Sequence, residues 1–166
     1  MGRVAAIAGR LPGTHRELRQ QHRHFREGLL RYVLTGDVAT ALTSPLIYSL
    51  LIPFAMLDAW IWLYQATCFR AWGVARVRRR AYFAIDRHRL ASLNGLETLN
   101  CVYCSYANGL IAYVREVAAR TEQYWCPIRH ARRTRHPHSR YQRFVPYGDA
   151  AGYRRSLPSL RAVLKK

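Results

Sequence analysis

The chain has 166 residues and a formal net charge of +18, with 27 lysines and arginines against 9 acids. That length holds at most one ordinary domain, or a small one with a membrane segment and tails. The charge excludes a cationic partner and points to an anionic one, acidic lipid headgroups ahead of a nucleic-acid backbone.

Residues 1–37 read as a basic amphipathic N-terminal segment. Met1 to Arg10 has too short an apolar stretch for a secretory signal. Thr14 and Glu17 have capping-box spacing, and Leu18, His22, Phe25, Leu29 and Val33 follow at helical spacing among Arg16, Arg19, Arg23, Arg26 and Arg31. A basic helix with one apolar stripe suits the headgroup layer of a membrane.

Residues 38–69 form the hydrophobic membrane segment, whose core at 46–63 is about the roughly 20 residues needed to cross a bilayer. Pro45, after Ser44, fits a first helical position, whereas Pro53 predicts a kink. Tyr48 at one end and Trp60, Trp62 and Tyr64 at the other resemble interfacial aromatic belts. Arginines flank the tract on both sides. The positive-inside rule would hold both flanks in the cytoplasm, which a re-entrant helix kinked at Pro53 satisfies and a single span does not. Both topologies stay open. Asp58 is an ionisable group within this tract, either a functional polar site or a residue lifted to the interface by the kink. Arg78, Arg79 and Arg80 beyond the exit are the expected contacts for anionic lipid.

Residues 70–133 predict a helical hairpin. Asp86 can cap a helix through Leu90, Leu93, Leu96 and Leu99, Asn108-Gly109 is a turn signal, and a second helix should end near Trp125 because Pro127 disfavours helical geometry before it. Residues 134–166 read as a basic, loosely ordered tail, its His136 and His138 solvated.

Cys101-x-x-Cys104 followed by Cys126 and His130 supplies a Cys3His set for zinc, and a Cys-Pro step after CxxC also suits iron–sulfur ligation. No cofactor is certain. Were 104–126 one continuous helix, about 1.5 Å per residue would part Cys104 from Cys126 by roughly 33 Å. A shared site would then need unwinding or an antiparallel dimer. Two other readings stand beside it: the cysteines as small packing residues, and Cys126 as a nucleophile with His130, which is the enzyme reading.

Through Asn100-Cys101-Val102-Tyr103-Cys104-Ser105-Tyr106-Ala107-Asn108-Gly109 and Ala119-Arg120-Thr121-Glu122-Gln123-Tyr124-Trp125-Cys126-Pro127-Ile128, the chain resembles a family of bacterial membrane proteins with no established activity. The likeness runs over roughly residues 40–133, including Asp86-Arg87-His88 and Ile52-Pro53-Phe54. Members carry proline directly after the Cys-Phe step, where this chain has Arg70, so their exit geometry is not carried over. The resemblance implies a membrane location and marks the two segments as the functional end.

Together these readings predict an all-α, membrane-embedded protein: a basic amphipathic helix, one kinked hydrophobic helix, a cytoplasmic helical hairpin and a basic irregular tail. The expected role is an accessory or binding protein of the bacterial inner membrane, with most of the chain cytoplasmic. The alternative is a small membrane-bound enzyme or redox protein. Anionic lipid is the expected partner, a homodimer or a membrane partner protein is compatible, and nucleic acid is disfavoured because no recognised module accompanies the charge.

Overall fold

The computed structural model describes Gly28 and residues 37–165. Among these the fold is all-α, without strands and with two isolated bridges, Val74 to Lys165 and Ile128 to Val145. The amphipathic helix expected before residue 37 lies outside the described residues. The chain divides into two compact units, one joining Tyr48–Ala84 to Ser105–Lys166, the other containing Ile85–Cys104 and the residues up to Ile47.

One helical run, Val38–Trp72, is long and apolar enough to cross a membrane. It comprises α1 (Val38–Ser49), α2 (Leu51–Tyr64), a π-turn at Gln65–Phe69 and the short α3 (Arg70–Trp72). Neither α1 nor α2 contains a buried residue. The two prolines are absorbed locally. Pro45 lies inside α1 and not at its first position; Ser44 Oγ donates to the Ala41 carbonyl at 2.8 Å, the acceptor that Pro45 leaves without its amide. Pro53 falls in the first turn of α2, where backbone amides lack an intrahelical partner anyway. Leu50 between the helices stays right-handed at φ −63°, and Phe54 N–H donates to its carbonyl at 3.1 Å. The chain therefore does not reverse at Pro53, and the helical run continues through it.

The run ends at Gly73, whose φ of 67° lets Val74 N–H reach back to the Phe69 carbonyl at 2.8 Å. This is a Schellman-type stop, with glycine at the left-handed position.

The predicted hairpin is instead one helix, α4 (Gly95–Trp125). Asp86 does not start it: Arg87–Arg89 makes a separate 3-10 turn. Asn94 is the cap, its Oδ1 accepting from Leu96 and Glu97 N–H while Glu97 Oε2 accepts from Asn94 N–H at 2.8 Å. That reciprocal pairing is a capping box. Asn108-Gly109 does not turn, because Gly109 is a contact point within the helix. A Cβ there would stand 2.8 Å from the Tyr82 carbonyl oxygen and 3.3 Å from Phe83 Cα.

Leu110, Tyr113 and Val117 of α4 bury against Phe69, Val74, Val77 and Leu164 in the core of the second unit. Leu164 belongs to the expected irregular tail, which is ordered. After a 3-10 turn at Tyr141–Arg143, Asp149 caps α5 (Ala150–Ala162) by accepting from Gly152 N–H, and Ala75 N–H donates to the Leu164 carbonyl at 2.8 Å. Phe144, Val145 and Leu164 are the apolar side chains this polar segment buries.

Candidate functional site

Asp58 is not alone. Arg79 donates to both its carboxylate oxygens, Nε to Oδ1 at 3.0 Å and Nη2 to Oδ2 at 2.6 Å, and Tyr106 O–H donates to Oδ2 at 3.2 Å. The Arg79 guanidinium also lies 3.9 Å from the centroid of the Phe83 ring, which packs against Tyr106. A two-pronged pair stacked on an aromatic face suits arginine and would not suit lysine. Burial, and then the Asp58 carboxylate, push the Tyr106 phenol above its ordinary pKa, so it remains a donor. Of the three arginines expected to meet lipid, all exposed, Arg79 is thus turned back onto Asp58 of α2.

About two turns further along, Gln65 is buried at the start of the π-turn. Its Nε2 donates to Tyr113 O–H, and its Oε1 accepts from Val77 N–H at 2.8 Å. Arg76 Nε reaches the Gln65 carbonyl. A single amide thereby ties the long helix to α4 and to the strand-like segment after Gly73. Beyond it Tyr64 shares a hydrogen bond with Thr121, and Trp72 stacks on Tyr124 at 5.1 Å.

A third cluster holds the C-terminal segment. Glu116 Oε1 accepts from Arg120 and from both Nε and Nη2 of Arg140, whose Nη1 donates to Gln123 Oε1. His138, expected in solvent, is 2.9 Å from Glu122 Oε2. Burial alone would raise the Glu116 pKa, but its hydrogen bonds to Arg140 and Arg120 outweigh that and hold it below the ordinary value. A depressed folded pKa gives a contribution complete above the unfolded value of about 4.3 and lost as pH falls through the lower folded one. Stability measured by denaturant unfolding should accordingly drop on acidification from about pH 5 to 3. Glu116→Gln should flatten that part of the profile; an unchanged slope would refute the assignment.

The cysteines are not gathered. Cys101 and Cys104 belong to the first unit, Cys126 and His130 to the second, and the helix from Gly95 to Trp125 runs between them without the unwinding that a shared site within one chain needs. Among the described residues no three His, Cys, Asp or Glu side chains form a group able to hold a metal ion. Burial, then the Glu122 carboxylate, push the Cys126 thiol pKa up, opposite to what an activated nucleophile requires. The His130 ring stacks on Tyr141, and its backbone N–H donates to the Tyr141 hydroxyl at 2.7 Å.

Sequence reasoning passed over Gln65, although it is the one amide side chain between Val38 and Phe69. Glu116 carried a legible hint, with Arg120 at helical i,i+4 spacing. Arg140 could not be paired with it from the sequence.

Among the described residues the architecture is therefore mostly helical, with one helix long and apolar enough to cross a membrane. No family model, curated protein or solved structure matches the chain.

Proposed function

We propose that the protein is a single-pass, membrane-anchored accessory or binding protein of the bacterial inner membrane, its helical head held on the cytoplasmic side. The observation that carries this reading is where charge begins. Residues 38–57 are helical and contain no charged side chain, which at about 1.5 Å per residue is roughly 30 Å, the thickness of a hydrocarbon core. Asp58 follows at once and is paired with Arg79. Past it Trp60 and Trp62 are 71% and 63% exposed, as interfacial aromatics are. Asp58 thus marks the water boundary of the span, and the helix beyond it continues into the packed head.

A single crossing leaves one arginine-rich flank on the far side. The arginine-rich head and its cysteines suit the reducing cytoplasm. The raised Cys126 thiol pKa speaks against that thiol as an activated nucleophile.

Reporters fused before Thr14 and after Lys166 test the topology. Opposite-side signals are expected, with the C-terminal reporter cytoplasmic. Same-side signals would overturn the single span, and a C-terminal reporter outside would overturn the orientation.

A further inference from the structure

Past the end of α4 the chain forms an open pocket of about 470 Å³, lined by Arg129, His130, Arg132, Arg133, Arg135 and Tyr141 among others. No acid lines it, and among the described residues none of these four arginines has a carboxylate partner. The nearest acids along the chain are spoken for, Glu116 by Arg140 and Arg120 and Glu122 by His138. Four cations left without a counter-charge in one concavity repel one another until an anion enters.

The walls are built and held. Arg129 N–H donates to the Val145 carbonyl at 2.8 Å and Val145 N–H to the Pro127 carbonyl at 2.9 Å, fixing one side. Arg115 of α4 donates to the carbonyls of His136 and Pro137, fixing the other. Between them the Arg129 guanidinium is oriented by its Nη2 hydrogen bond to the Gln142 carbonyl. Its Nε is buried and has no acceptor. A buried charged donor in that condition is costly unless something satisfies it.

From the arginine lining, with no acid among it, we infer that this pocket binds a phosphate-bearing anion. Phosphoryl oxygens accept in the planar fork geometry that guanidinium groups present, and the volume matches sites for small molecules. The same chemistry could come from a lipid headgroup or from a soluble phosphorylated solute. Tyr106, level with Asp58, is separated from Trp125 by about 28 Å of α4. On the membrane reading above, and resting on it, the pocket stands off the bilayer and the soluble source is the expected one.

The test uses the full chain in nanodiscs of neutral phosphatidylcholine, titrated calorimetrically with inorganic pyrophosphate. Saturable binding is expected, weakened roughly tenfold or more in Arg129→Lys, which keeps the charge but loses the fork. The Arg132→Ala/Arg133→Ala variant, altered only at exposed side chains, should weaken it comparably. Arg155→Ala, on the exposed side of α5, should leave it unchanged. Discs containing phosphatidylglycerol separate the sources: undiminished pyrophosphate binding supports the soluble anion, and its competitive loss keeps the anion site but overturns that source. No saturable binding in neutral discs, or equal affinity in the double variant, overturns the site. Those outcomes do not depend on which way the head faces, so they leave the anchor reading to its own test.

Discussion

Gln65→Leu is expected to destabilise the head by roughly 2–5 kcal/mol in denaturant unfolding of the detergent-solubilised protein. Leucine keeps the volume and the helix but removes both hydrogen-bonding ends. Val77 N–H and Tyr113 O–H then lose their Gln65 partner at buried positions, at about 1–3 kcal/mol each. Tyr113→Phe should cost less, because only the Gln65 amide end is stranded. A loss below about 1 kcal/mol for Gln65→Leu would show that water reaches both groups and that the amide is not a tie.

Gly109→Val should be comparably damaging, at about 3 kcal/mol. In an exposed helix the change from glycine would be favourable by up to about 1 kcal/mol. Here the added Cβ meets the Tyr82 backbone oxygen at 2.8 Å, and backbone cannot swing aside as a side-chain tip can. The segment at Tyr82 and Phe83 must retreat, and with it the ring beneath the Arg79 guanidinium. Gly95→Ala is the matched control: nothing lies within 4 Å of its added carbon, so it should be neutral or stabilising. Thermal unfolding of the two variants side by side decides the matter. If Gly109→Val unfolds with the parent, close packing is not what keeps this glycine in the helix.

The contrast between these two glycines explains what the sequence could disclose. Asn108-Gly109 is a turn signal in local terms, and only the approach of Tyr82 from 27 positions upstream shows why a residue without Cβ serves a helix there. The apolar run, the helical class, the end of α4 near Trp125 and the oddity of Asp58 were all legible, since each rests on composition or on a neighbour within a few positions. Arg79 was legible as a basic residue but not as the Asp58 partner, because that pairing spans a helix end and a loop. Similarly, a tail rich in arginine, proline and histidine reads as solvated. Its order comes from Leu164, Arg140 and His138 meeting groups on distant segments. The cysteine spacing had the opposite fate: locally suggestive, it is spread along a helix that the turn signal had promised to fold.

The π-turn at Gln65–Phe69 has a consequence for how the head is aimed. A π-turn holds one residue more than an α-turn, and each residue carries about 100° of rotation. The exposed apolar stretch before it and the core-facing stretch after it are therefore out of phase with a uniform helix. Phe69 and Gln65 turn inward together, while the apolar side chains before them keep their own azimuth. Backbone geometry, fixed within the helix itself, sets the bearing of the packed core about the exposed part of that helix.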